Sequence, residues 1–430
     1  MDERSPNAGA SAAEATSAAE EAKYPYWRRN RVALSLCTFS QSVSFGLSFP
    51  FLPLVLREMG ITEHLETWVG YLIGTYFTLS FVLTPVWGVV ADHYGRKAMV
   101  LRTSFGMAAV YLLLPFAPSV YWFVPIFLVM GTTNGLVASA QALAATSSPP
   151  RRMGSVLSLV QSGGLVGGMV GPVIGAMLAH LLPSYRDLYW CSAVMSGMSG
   201  LLALLLARER FAPPSGRFEL HLVQDFRQIV RLPNAAVLFA AFVIYTLTLN
   251  GSVPVISVYV IDLLHRSGAP DGDAPFWLGV VSIALPVGAA LAAQVWGRVM
   301  DRVGAEAVLT LGLLAGAVAL VPVVLAGTPL QLAGARLLLG MGAIGLGPAG
   351  ITMLKARAPA GMDSRVLSYL AACGMLGMGV GPFIAGQIGP HIGLPSYFAL
   401  NALALLVLAW AWRRSLRASG RRAEAAGRTG

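Results

Sequence analysis

Apolar stretches of about 18 to 25 residues recur from Ala33 to Trp412, and they limit this chain more than any other feature. A helix of that length crosses a hydrocarbon layer about 30 Å thick. Twelve spans are expected, at 33–56, 68–91, 98–117, 121–143, 154–179, 187–207, 236–260, 275–298, 306–325, 329–353, 365–387 and 393–412. Only 12% of the 430 residues are charged, against about a quarter in a soluble domain, so the chain reads as a polytopic membrane protein. Its opening, "MDERSPNAGASAAEATSAAEEA", is rich in Ala, Ser and Glu and lacks a basic segment. It reads as a disordered tail, not a signal peptide. "YPYWRRNR" then joins aromatics to cations, as an interfacial anchor does.

The net charge of +10 follows the membrane. With both termini in the cytoplasm, 26 of the thirty Lys and Arg fall on the cytoplasmic side, and Arg57, Arg186 and Arg266 on the other. Arg336 lies within a span. That asymmetry fits the positive-inside rule and excludes a nucleic-acid groove as the reason for the basic charge. Cys37, Cys191 and Cys373 all fall inside spans with no metal-ligand spacing, and read as packing residues.

The longest internal polar segment, 208–235, divides the spans six and six. The expected organisation is a tail at 1–25, a six-helix bundle at 26–207, a cytoplasmic linker at 208–235, a second bundle at 236–413 and a basic tail at 414–430. The halves share a fixed offset. Gly88 and Asp92 recur as Gly297 and Asp301, and Gly131 as Gly340, each 209 residues on. "GPVIG" at 171–175 recurs as "GPFIA" at 381–385. Duplicated halves are characteristic of secondary transporters, whose substrate site lies between them near the midplane.

The second span ends in "WGVVADHYGRK", 87–97. A carboxylate favours the positive end of a helix, and Asp92 lies at the depth where the eleventh span begins. Gly88 admits a close neighbour, Gly95 a tight loop, and Arg96 and Lys97 can pair with Asp92. Asp301 would face the start of the fifth span in the same way. The cluster therefore reads as a latch between the halves; flanking positive charge alone is the simpler alternative. Gly88, Asp92, Gly95, Arg96 and Lys97 match the "G-x-x-x-D-x-x-G-R-K" loop of the major facilitator superfamily, which the whole membrane region resembles. The second copy keeps Gly297, Asp301, Arg302 and Gly304 but has Ala305 and Glu306 for the cations.

In the fifth span, Gly167, Gly171 and Gly175 form a small-residue ridge of the kind that lets helices approach in lipid, with Pro172 bending the helix. As physics this is a packing surface. It also resembles the "G-x-x-x-G-P-x-x-G" motif of drug:proton antiporters, partly repeated by Gly377, Gly381 and Pro382. "FPFLPLVLREMG", 49–60, is similar to the beginning of the MdtG-like group of multidrug exporters. The resemblance implies an all-α fold of twelve transmembrane helices in two pseudo-symmetric six-helix bundles. It further implies transport of hydrophobic or amphipathic small molecules, protons as the exchanged ion, the inner membrane as location and a monomer as the working unit. No cofactor and no metal are expected.

In that family, spans one, four, seven and ten line the cavity. Polar stripes at helical spacing nominate Cys37, Gln41, Ser44 and Ser48, then Phe127, Gly131, Asn134 and Gln141, then Tyr245, Thr248 and Ser252. The competing reading of each stripe is interhelical hydrogen bonding. One feature departs from the family: none of the twenty Asp and Glu sits mid-span in those helices, although an intramembrane acid is the usual proton carrier. The family's span-four arginine is Phe127, while Arg336 with Gly340 remains in span ten. Arg336 reads either as a structural cap or as a substrate or coupling group. The functional readings are thus a proton-coupled exporter, a facilitator or differently coupled carrier of a sugar or metabolite, and a non-transporting sensor or lipid-moving protein. No enzyme constellation and no phosphate loop is present in the sequence.

Overall fold

A computed structural model describes residues 23–211, 227, 235–249, 252–268, 270–357 and 363–427. Within these the side chains of Asp92, Val253, Pro254, Asp271, Ala371 and residues 355–357, 363–368 and 418–427 are not described. The expected linker lies largely outside the described residues, as does the opening tail up to residue 22.

Among the described residues every regular element is helical, as lipid demands when it offers the backbone no partner. The first half comprises α1 (Trp27–Ser48), α2 (Leu52–Glu58), α3 (Leu65–Tyr94), α4 (Arg96–Leu113), α5 (Val120–Thr133), α6 (Leu136–Thr146), α7 (Met153–Leu181) and α8 (Leu188–Leu206). The second comprises α9 (Ala235–Leu249), α10 (Val253–Ser267), α11 (Ala274–Leu325), α12 (Pro329–Ala343), α13 (Leu346–Arg357), α14 (Asp363–Ile392) and α15 (Leu394–Gly427).

Twelve crossings result, because one helix holds two spans and four spans are each described as two helices, with residues 250 and 251 of span seven outside the described residues. Span one is α1 and α2 joined by a 3-10 turn at Phe49–Phe51. Span four is α5 and α6, span seven α9 and α10, and span ten α12 and α13. The 52 residues of α11 cover spans eight and nine, folded at Gly304, whose φ is 81° and ψ 163°. The last helix continues beyond the expected span end at 412 to Gly427.

Gly95, at the corresponding fold between spans two and three, has φ 93° and ψ 148°, a region essentially confined to glycine. The duplication is thus repeated in backbone geometry. Helix contacts repeat it as well. Gly131 packs on the Tyr76 carbonyl and Gly340 on the Leu285 carbonyl, both pairs 209 apart in number. Gly167 packs on the Phe39 carbonyl, and Gly377 on the Val243 carbonyl. Small residues at these crossings let backbones touch, which replaces the hydrophobic driving force that lipid does not supply.

Candidate functional site

The face at which α1 begins is called here the basic face, and the other the far face. At the far face the two halves close on each other. A Cβ placed on Gly70 of α3 would stand 2.5 Å from the Pro382 carbonyl oxygen and 3.2 Å from Gly386 Cα in α14. The Thr67 hydroxyl donates to the Gly386 carbonyl at 2.7 Å. Gly279 meets Pro172 and Ala176 of α7, and the Phe49–Phe51 turn touches α10 and α11. Pro172 and Pro382 of the antiporter-type motif take part in this closure, while its first-half glycines pack within their own half. Gly171 packs on Gly46 of α1, Gly175 on the Phe51 ring, and Gly381 and Pro382 are buried in α14.

At the basic face the same helices part. Among the described residues, Gly88, Gly154, Gly297 and Gly304 have no heavy atom within 4 Å of a Cβ position, apart from their own chain surroundings. Asp301 and Arg302 are exposed. The expected approach of Asp301 to the start of the fifth span is therefore not made in this conformation. The expected partner of Asp92, the beginning of α14, lies outside the described side chains.

The loop of the charged motif is also tied within its own half. Glu209 accepts hydrogen bonds from the backbone N–H groups of Arg96 (2.9 Å) and Lys97 (2.8 Å), capping α4. A carboxylate there meets the positive end of the helix and its unpaired amides. The Lys97 ammonium donates to the carbonyls of Ala207 and Leu204, beyond and at the end of α8. The sequence reading missed Glu209, because the polar segment at 208 was read only as a linker.

Between these two ends, the closed layer is floored by rings. Phe45 stacks on Phe49 at 3.7 Å, and Phe49 lies 5.5 Å from Tyr76 and 6.4 Å from Phe127. Phe127, in the family's arginine position, is a buried member of this cluster.

The polar stripe of span one does not line a cavity. Gln41 and Ser44 are buried against α8: Ser196 donates to Gln41 Oε1 at 2.8 Å, and Ser44 donates to the Ser192 carbonyl at 2.6 Å. Cys37 and Ser199, Ser40 and Met195, and Ser48 and Tyr111 continue the seam. A face of small hydroxyl residues served interhelical hydrogen bonding, which helical spacing alone could not separate from cavity lining.

Span four is held by a group of span three that the sequence reading overlooked, Arg102. The break in span four leaves the last carbonyls of α5 without intrahelical partners. Arg102 of α4 donates to the carbonyls of Thr132 (2.6 Å) and Asn134 (3.3 Å), and its guanidinium lies 3.7 Å from the Trp87 ring centroid. Gly135 takes φ 117°, and Asn134 Oδ1 accepts from the Gly135 N–H at 2.7 Å. The Asn134 amide donates to Ser80 Oγ at 3.1 Å and approaches Met375 Sδ of the other half at 3.8 Å. Asn-Gly inside an apolar run was the available signal, since that pair marks turns. Gln141 is half-buried one helix further, with no side-chain hydrogen bond among the described residues.

In the second half, Tyr245 is half-buried, 5.7 Å from Phe242, with its hydroxyl against Gly347 of α13. Thr248 is buried and its hydroxyl has no hydrogen-bond partner among the described residues. Arg336 is 1% exposed, its Nε lacks a hydrogen-bond partner, and no described carboxylate pairs with it. No group of three or more potential metal ligands occurs among the described residues.

Comparison with known proteins places this architecture. The family model described as Major Facilitator Superfamily matches residues 34–285 and 272–429. The multidrug resistance protein MdtG of Enterobacter lignolyticus is 31% identical over 92% of this chain and 94% of its own. MdtG of Serratia proteamaculans is 31% identical over 88% and 92%. Among solved structures, a bacterial homologue of the human lysosomal transporter Spinster, in an inward-facing and occupied conformation, superposes with TM-score 0.71. It is 16% identical and covers 91% of this chain and 97% of its own. Human MFSD10, an organic anion transporter, gives 0.67 at 18% identity, covering 90% and 99%.

Proposed function

The chain belongs to the major facilitator superfamily, and from that premise we propose that it exports amphipathic or apolar small molecules across the inner membrane by alternating access, in exchange for protons. The basic face is cytoplasmic in this reading, by the positive-inside rule. One observation carries it: the halves are packed together at the far face, while among the described residues Gly88, Gly154, Gly297 and Gly304 at the basic face meet no neighbour. That is the arrangement of a carrier ready to load from the cytoplasm. The half-buried Phe45, Asn134 and Met375, beside the aromatic cluster, would offer a substrate between the halves a ring, a thioether and one amide. Such a surface suits hydrophobic bodies with little polar decoration. The likeness to MdtG multidrug resistance proteins supports the same substrate class.

In the opposite state the Asp92 and Asp301 clusters close as latches on spans eleven and five, while Thr67 and Gly386 separate. These two aspartates, at span ends, are the proton carriers of this reading, because spans one, four, seven and ten hold no mid-span acid. The same absence favours a second reading, facilitated or differently coupled transport. Everted vesicles with an imposed pH gradient separate the two. Under proton antiport, adding a lipophilic cation or neutral drug dissipates the gradient only where the intact protein is present. Substrate movement with an unresponsive gradient overturns the antiport and leaves alternating access in place.

A further inference from the structure

A cavity of 510 Å³ opens at the basic end of the first half. It is bounded by Tyr24 and Tyr26 before α1, Ala91 of α3, Arg96 of α4, Ser147 after α6 and residues 208–211 after α8. Among the described lining residues Lys23, Arg96, Arg208 and Arg210 are cationic and Glu209 is the one carboxylate, while Arg96 also donates to the Ala142 carbonyl. Both oxygens of Glu209 are engaged by the amides capping α4. No carboxylate among the described residues pairs with Lys23, Arg208 or Arg210, and Arg210 is held only 5.7 Å from the Tyr26 ring. The backbone under Arg208 is rigid, because its N–H and C=O bond the two ends of the buried Asn30 amide at 2.9 and 2.7 Å. The side chains of Arg208 and Arg210 nonetheless remain exposed.

We propose that this cavity binds a phosphate ester anion, as an anionic phospholipid headgroup or as a soluble phosphate ester. Guanidinium forks match phosphate oxygens in pairs, so the exposed Arg208 and Arg210 on one cavity wall suit phosphate better than a single carboxylate. Basic pockets between helix ends on a cytoplasmic face recruit such headgroups. The aromatic wall of Tyr24, Tyr26 and Phe211 suits the glycerol portion at the interface. The bound anion joins the basic ends of spans one, two, three, four and six, including the loop that carries Gly95. The proposal is independent of what the protein transports.

Native mass spectrometry of the full chain tests it, titrating phosphatidylglycerol, phosphatidylcholine and glycerol 1-phosphate. Phosphatidylglycerol is expected to bind one site that phosphatidylcholine does not fill. Arg208→Gln with Arg210→Gln lowers its affinity about 25-fold, at about five-fold for each cation. Glycerol 1-phosphate binding with the same loss in the variant identifies a soluble ester as the ligand; binding of the lipid alone identifies the headgroup. If the double variant fails to insert, Lys23→Gln reads the same loss at about five-fold. Equal binding of the two lipids with no uptake of glycerol 1-phosphate overturns the proposal, as does a variant that binds like the wild type.

Discussion

Enlarging Gly70 tests whether the far-face closure belongs to one conformation only. The Cβ of Gly70→Ala would meet the Pro382 carbonyl oxygen at 2.5 Å and Gly386 Cα at 3.2 Å. Both are backbone atoms of α14, so no side chain can swing aside. Overpacking of this kind costs about 1–3 kcal/mol. The cost falls on the state in which α3 and α14 touch there and vanishes when they part. For two states within about 1 kcal/mol, a shift of about 2 kcal/mol turns a ratio near five to one into one near one to five. The probe is Gly154→Cys, exposed at the basic end of α7, in a background where Cys37, Cys191 and Cys373 are replaced by alanine. An impermeant thiol reagent applied from the basic face should label it about five-fold more slowly once Gly70 is enlarged. Unchanged labelling in a protein that inserts normally would refute the state dependence of this contact, and alternating access would lose its structural support.

Gln41→Ala should lower thermal stability by about 1–2 kcal/mol through the lost Ser196 bond, and leave the export profile across a drug panel unaltered. Arg102→Ala, which uncaps α5, should abolish most transport, while Arg102→Lys, able to bond one carbonyl at a time, restores part of it; vesicle uptake rates decide. Gly95→Ala should destabilise more than Gly304→Ala in a melting comparison. Both strain the backbone by about 1–3 kcal/mol, and only at Gly95 does the new carbon approach the Glu209 carboxylate, at 3.0 Å. Arg336→Met should keep or raise stability, because an unpaired buried charge is removed. Transport lost from that stable variant assigns Arg336 to substrate or coupling; transport retained makes it structural.

Twelve crossings, their internal duplication and the glycine crossings were legible in the residues themselves. Lipid leaves the backbone no partner but itself, so apolar length dictates helices, and close approach requires small residues at set positions. Gly95 and Gly304 could be matched by number alone, and their backbone angles agree. The environment of each polar side chain was not legible. Ser44 and Asn134 have similar chemistry and helical spacing. Yet one is sealed against α8 and the other meets Ser80 and Met375 at a helix break. Helical periodicity names a face but not its neighbour. The neighbour follows from how twelve helices cross, and at the seam between the halves from which conformation the chain occupies. Arg102 illustrates the same limit: near a span end it reads as a flanking charge, and only the broken fourth span turns it into a cap. Glu209, 112 residues from Lys97 in sequence, finds its amides only through the packing of α8 beside α4. Composition and spacing thus determine that this chain spans the membrane in two related halves. Tertiary contacts decide which residues face the cavity and which end is open.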